Sequence, residues 1–270
     1  MNDSEFLKVA KQAAVEAGKI VAKYGDEELH LKQKTHANDL VTEADVEAEK
    51  VILSIIKKAF PEHNILAEES GSDLKDSEYT WTIDPIDGTI DFISGIPFYG
   101  VSVGLLKNKK PFVGVINIVG QNELYWAEKD QGAFVNGKQI QVSAREKLSD
   151  GYMFLDVGGK EREKRLNNRL LPFMNKIRAI FMAGSATIEM VYTARGFTDG
   201  FILKANPWDF GAGAIILLEA GGRVSDYKGN EIEDWTKSKI QIIGTNGLMH
   251  DQIVETLNYS GLEDEPVSLG

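Results

Sequence analysis

Residues 81–92, WTIDPIDGTIDF, constrain this chain more than any other stretch. Trp81, Thr82 and Ile83 predict a buried strand. A buried strand that ends in Asp84 and Asp87 must offset two desolvated negative charges. The backbone is also narrowly specified. Pro85 fixes its own φ and lacks an N–H, Asp84 before it is driven to extended geometry, and Gly88 permits a sharp turn. A rigid D-P-x-D-G-T turn of this kind aims two carboxylates and a carbonyl at one point.

Two further acidic groups follow strand-like segments. ILAEES (65–70) places Glu68 and Glu69 just beyond one strand, and PWDFGAG (207–213) places Asp209 where a strand exit meets a helix. If the strand ends converge, four or five carboxylates face one another and repel strongly without a cation. A hard divalent ion resolves this, because carboxylates and carbonyls are the ligands Mg²⁺ prefers. Each piece has a plainer reading alone. Glu68–Glu69 reads as a solvated turn, Asp87–Gly88 as a turn, and Asp209 as a helix N-cap. Asp45 is explained as the fourth position of a capping box begun by Thr42. An EF-hand loop started at Asp84 would have Ile86 and Gly88 at positions 3 and 5 and Gly95 at position 12, so it is excluded, and there is no Walker A loop.

Composition removes other chemistries. The chain has no cysteine, which excludes disulfides, thiolate metal sites and a Cys nucleophile. His30, His36, His63 and His250 are scattered, without HxH or HExxH spacing. A net charge of −11 argues against nucleic acid and requires that a phosphorylated ligand be met by metal ions, helix N-termini or a few lysines. No run is long enough to span a bilayer and no signal-type apolar core is present, so a cytoplasmic location away from membranes is expected.

Along the chain, residues 4–23 carry helical apolar spacing, residues 26–40 read as a polar loop, and TEAD (42–45) opens a second helix ending near Pro61. Segments 64–67, 80–83, 99–106, 112–119 and 123–128 read as strands of a mostly antiparallel sheet, and Asn136–Gly137 as a tight hairpin turn. From about residue 150, strands alternate with helices expected at 160–176, 185–195, 210–222 and 248–258. The expected organisation is a first unit, residues 1–150, carrying most of the acidic groups, and an alternating α/β unit, residues 151–270, contributing Asp209.

AEES (67–70), WTIDPIDGTIDF (81–92) and WDFGAGAIILLEAGG (208–222), in this order, resemble the inositol monophosphatase family of metal-dependent, lithium-sensitive phosphatases; DLVTEAD (39–45) and GSA (184–186) fall where that family has corresponding segments. The resemblance implies an α/β layered fold, an αβαβα sandwich of the inositol monophosphatase and fructose bisphosphatase type, and a homodimer. It implies two or three Mg²⁺ ions. Glu68, Asp84 and the Ile86 carbonyl would hold one, and Asp84, Asp87 and Asp209 a second, with Glu69 near a weaker third. Glu68 and Thr89 would orient the attacking water, Asp45 would hydrogen-bond Thr89, and the N–H groups of Gly88 and Thr89 would face the phosphate. Gly184, Ser185 and Ala186 would lie beside the substrate.

The implied substrate is inositol monophosphate. Ile202, however, stands where the inositol-specific members carry an acidic group, seven positions before the WD aspartate, and Lys204 lies two residues on. Lys204 either favours a more anionic substrate, such as fructose 1,6-bisphosphate, NADP or a 3′-phosphoadenosine compound, or points into solvent. Lys34, in KQKTHAND (32–39), is available over the site or is simply solvated. A metal-binding regulator without catalysis is the alternative from another class, and the Glu68, Thr89 and Asp45 set argues against it.

Overall fold

The computed structural model describes residues 3–25, 31–33, 40–155, 163 and 166–259. The predicted amphipathic helices form as α1 (Glu5–Gly25) and α2 (Glu43–Ala59). Ser4 starts α1 by accepting the Leu7 N–H at 3.1 Å. Between them, β1 (Leu31–Gln33) and β2 (Leu40–Thr42) pair antiparallel, where the sequence predicted loop across 26–40. Three-residue strands carry too little alternation to register as a pattern.

Next come β3 (Asn64–Ala67), β4 (Gly71–Asp73), β5 (Tyr79–Asp87), α3 (Thr89–Ile93), β6 (Gly100–Lys107), β7 (Lys110–Ile118), β8 (Glu123–Glu128), β9 (Ala133–Val135) and β10 (Lys138–Ile140). The eight strands β3 to β10 form one sheet in the order β10-β9-β8-β7-β6-β5-β3-β4, antiparallel except for the β3–β5 pair. At the β9–β10 hairpin, Asn136 and Gly137 have φ of 46° and 83°, the left-handed pair that a two-residue turn requires.

The remaining elements are β11 (Tyr152–Leu155), α4 (Leu171–Met174), β12 (Ala179–Phe181), α5 (Ala186–Ala194), β13 (Gly200–Ala205), α6 (Pro207–Glu219), β14 (Arg223–Ser225), β15 (Ile240–Thr245) and α7 (His250–Tyr259). Their strands make a second sheet ordered β12-β11-β13-β15-β14. The helix predicted at 160–176 is, over its described part, a π-helical segment Leu166–Leu170 running into the short α4.

Three apolar cores define five layers. The small face of α1 (Ala10, Ala13, Ala14, Ala17) and the Ile52–Ile56 stripe of α2 cover Trp81, Ile83, Val101, Val103 and Val115 on one face of the large sheet. Helices α5 and α6 fill the space between the sheets, against Ile116 and Tyr125 on one side and Phe201 and Leu203 on the other. Helix α7 packs on the outer face of the second sheet, on Leu155, Ile202 and Ile243. The result is the αβαβα sandwich. Helix α6 is apolar on every side because sheets flank it on both sides.

Two contacts decide where α6 begins. A Cβ at Gly211 would lie 2.1 Å from Thr82 Oγ1, and one at Gly104 would lie 2.7 Å from the Ala212 nitrogen, so helix and sheet backbones meet where no side chain fits. Ser102, the cross-strand partner of Asp84, donates to the Trp208 carbonyl at 3.2 Å. The first turn of α6 is thereby docked beside the end of β5.

Candidate active site

The 84–89 turn takes the form its sequence demands. The β5–β6 register shifts between Asp84 and Asp87, so Pro85 and Ile86 bulge out of the ladder. Asp84 Oδ1 accepts the Ile86 N–H at 3.0 Å, and the Thr89 hydroxyl donates to the Ile86 carbonyl at 3.0 Å. Gly88 sits at φ 86°, and a Cβ there would be 2.6 Å from the Phe98 carbonyl oxygen, so glycine is required twice over. The Thr89 hydroxyl, which the family resemblance directs to Asp45, donates here to the Ile86 carbonyl.

Asp84, 1 % exposed, is pushed well above the ordinary carboxylate range, first by burial and then by the fields of Glu68, Asp87, Asp209 and Asp45. Asp209 is raised well above that range by burial, opposed by the Asn206 N–H and reinforced by Asp87 and Glu68. Asp87 is raised by burial against four donors: the hydroxyls of Ser185 and Thr187 and the N–H groups of Thr187 and Ala186. Asp91 joins the cluster; it is raised by burial and by Asp87, and its Oδ2 is buried with no hydrogen bond among the described residues. No basic side chain offsets Asp84, Asp87 or Asp209 among the described residues.

The structure thus brings Glu68, Asp84, Asp87, Asp209 and Asp45 into one field, with Gly88, Thr89, Gly184, Ser185 and Ala186 at its edge. A Cβ at Gly88 would lie 3.1 Å from Ser185 Cβ, which places the 88–89 and 184–186 segments side by side. Gly184, at φ 71°, turns the chain into α5, and Ser185 caps that helix by accepting the Ile188 N–H at 3.3 Å. Asp209 is not the N-cap. It stands at the third helical position, and its Oδ2 accepts the N–H of the N-cap residue Asn206 at 2.7 Å.

The donor set fits a hard divalent cation: buried carboxylates and a carbonyl, with uncompensated negative charge. Among the described residues, no three acidic groups already stand at coordinating distance from one point. Asp84, Asp87 and Asp209 are each turned to N–H or hydroxyl donors of the protein, and coordination would exchange some of those bonds for bonds to the ion.

Of the two expected lysine contacts, Lys34 lies outside the described residues and Lys204 is not brought to this cluster. Ile202 is fully buried in the core under α7, and Lys204, two residues on, shares that face of β13, whereas Leu203 and Ala205 face α5 and α6. A specificity role for Lys204 requires Ile202 at the substrate, and Ile202 lines a core instead.

Three contributors escaped the sequence reading. Glu49 is 3 % exposed and accepts the N–H groups of Glu69 and Ser70, each at 2.8 Å. Its signal was present: Asp45, Glu49, Ile52 and Ile56 form one helical stripe, and a carboxylate on a buried stripe needs an explanation. Thr187, which bonds Asp87, and Ser102, which docks α6, had no comparable signal.

An αβαβα sandwich whose acidic oxygen-donor centre lies where the end of β5 meets the first turn of α6 is the architecture of a phosphoric monoester hydrolase of the layered α/β class. The chain belongs to the inositol monophosphatase family, whose profile matches residues 2–261. It is 37% identical over 234 residues to the fructose-1,6-bisphosphatase/inositol-1-monophosphatase of Thermotoga maritima, covering 85% of this chain and 86% of that one. It is 37% identical over 267 residues to inositol monophosphatase 2 of Solanum lycopersicum, covering 95% and 99%. Among solved structures, the extragenic suppressor protein suhB of Bartonella henselae superposes with TM-score 0.87 at 34% identity, covering 94% of this chain and 98% of that one. Inositol monophosphatase from Anabaena gives TM-score 0.84 at 34% identity, covering 94% and 95%. No helix among the described residues is long and apolar enough to cross a membrane.

Proposed function

We propose that this chain is a Mg²⁺-dependent phosphatase that hydrolyses inositol monophosphate. The observation that carries the reading is the buried cluster of Asp84, Asp87 and Asp209, each raised in pKa and without a basic partner among the described residues, with Glu68 beside it. Two or three Mg²⁺ ions would be held by Glu68, Asp84, the Ile86 carbonyl, Asp87 and Asp209, with Glu69 nearby, and would supply Lewis acidity for a water nucleophile and positive charge for the attacking and leaving oxygens.

The protein's own groups do the positioning. Glu68 and Thr89 hold the attacking water in line. The backbone N–H groups of Gly88 and Thr89 donate to the phosphate oxygens, presented by the turn that Gly88 permits at φ 86°. Asp45 carries a further negative charge into the field around Asp84. Gly184, Ser185 and Ala186 border the alcohol portion of the substrate, and the bonds of Ser185 and Ala186 to Asp87 tie substrate edge and ion site together.

Phosphate release from inositol 1-phosphate, with Mg²⁺ and with EDTA, tests the reading. Turnover that is indifferent to EDTA, or absent in Mg²⁺, overturns it. Fructose 1,6-bisphosphate is the second substrate to assay, because relatives from Thermotoga maritima and Aquifex aeolicus carry both activities in their names. Inhibition by lithium belongs to the same proposal and is read in the same assay. A cytoplasmic location also stays a proposal, for fractionation to check. For the homodimer, support comes from Phe181 and Met182, which stand 44% and 62% exposed at the end of edge strand β12. Light scattering that gives a monomer mass would end that part.

A further inference from the structure

Glu49 lies one helical turn beyond Asp45 on α2, and both are buried on the face turned toward the acidic centre. Its carboxylate does one well-defined thing. Oε2 accepts the Glu69 N–H and Oε1 accepts the Ser70 N–H, both at 2.8 Å. The preceding N–H, that of Glu68, is already bonded to the Ile83 carbonyl on β5 at 3.1 Å. Three successive amides of the Glu68–Ser70 turn are therefore fixed, one by the strand that ends in Asp84 and two by Glu49. Gly71 follows at φ 81° and reverses the chain into β4. The turn cannot rotate without breaking the Glu49 bonds.

A stability role alone does not account for the choice of residue. Glu49 stands one turn from Asp45 and holds the Glu69 and Ser70 amides together, and a neutral amide in its place would hold only one of those two N–H groups. Only a carboxylate presents two acceptors to two parallel donors, since a glutamine turns its NH₂ group toward one of them. We propose that Glu49 is a positioning residue: it clamps the Glu68–Ser70 turn so that the Glu68 and Glu69 carboxylates face the ion site, and thereby sets the affinity for the divalent cation. This rests on the metal-dependent reading above.

The test is Glu49→Gln in the full chain. Calorimetric titration with Mg²⁺ should show Kd weakened by about 10–100-fold, the usual effect of losing a group that orients a metal ligand. Amide exchange at Glu69 and Ser70 should accelerate, KM for inositol 1-phosphate at saturating Mg²⁺ should change little, and excess Mg²⁺ should recover most of kcat. If Glu49→Gln lowers the melting temperature but leaves Mg²⁺ affinity at the wild-type value, Glu49 is a structural staple and the proposal is wrong. Should Glu49→Gln not fold, Glu49→Asp, whose shorter arm spans one amide better than two, replaces it with the same expected direction. A wild-type chain that binds no Mg²⁺ overturns the metal-dependent reading itself, whereas wild-type Mg²⁺ binding with an unaltered variant overturns only the role of Glu49.

Discussion

Asp84→Asn should move stability in opposite directions with and without metal. The substitution keeps the shape and the Oδ1 acceptor that the Ile86 N–H uses at 3.0 Å, and removes only a buried charge surrounded by Glu68, Asp87, Asp209 and Asp45. An uncompensated buried charge costs about 3–5 kcal/mol. Partial protonation and the Ile86 bond already offset part of that, so the metal-free variant should gain about 1–3 kcal/mol, or roughly 3–10 °C in Tm for a chain of this size. In Mg²⁺ the order should reverse. An ion at a hundred times its Kd adds about 2.7 kcal/mol to the wild type, and the variant, lacking the ligand proposed for both ion positions, should gain little. The pH dependence has a definite sign. Folding raises the pKa of Asp84, Asp87 and Asp209, so above about pH 4 the native state holds more protons than the unfolded chain. Their contribution is full below that pH and is lost as pH rises, so wild type in EDTA should weaken toward alkaline pH, the Asp84→Asn variant less so, and wild type in Mg²⁺ least. Thermal unfolding in EDTA and in Mg²⁺ across pH 5–8, with phosphate release alongside, measures all of this. A variant less stable than wild type in EDTA, or one that Mg²⁺ stabilises equally, would refute the reasoning, and so would full turnover.

Gly211→Ala should cost about 1–3 kcal/mol of stability by overpacking and lower kcat by displacing Asp209; adding Thr82→Ala, which removes the Oγ1 2.1 Å from the new Cβ, should restore much of both, as a denaturation and kinetics cycle will show. Thr89→Ala should reduce kcat on the order of a hundredfold with KM nearly unchanged, and a pure KM effect would move Thr89 to substrate binding. Lys204→Ala should leave kcat/KM within about twofold on both inositol 1-phosphate and fructose 1,6-bisphosphate, because its strand face turns to the α7 core; a selective loss on the bisphosphate would restore it as a specificity element. His250, buried between Thr245 and Ser225, has its pKa lowered from 6.5 to about 4 by burial, so its contribution of about 3 kcal/mol is full above pH 6.5 and is lost as pH falls toward 4; His250→Gln should flatten that acid limb in Mg²⁺.

What sequence alone determined is what depends on neighbours along the chain. The apolar stripes of α1 and α2, the Asn136–Gly137 turn and the strand-then-turn form of 81–89 follow from residue periodicity and from φ restrictions at Pro85 and Gly88, which act over a few residues. The ordered acidic segments carried the family resemblance, and with it the carboxylates to watch. What tertiary structure decided is what depends on contacts across the chain. Asp209 meets Asp84 because Gly104 and Gly211 let α6 lie directly on the large sheet and Ser102 holds its first turn, a close approach that no local pattern encodes. Glu49 was readable as a carboxylate on a buried stripe, but its task was not, since the amides it holds come from a loop 20 and 21 residues away. Ile202 and Lys204 were placed correctly on one face of one strand, and only the packing of α7 showed that this face is a core rather than a substrate wall. A strand's periodicity states which side chains share a face, and the layer that covers the face decides what it is for.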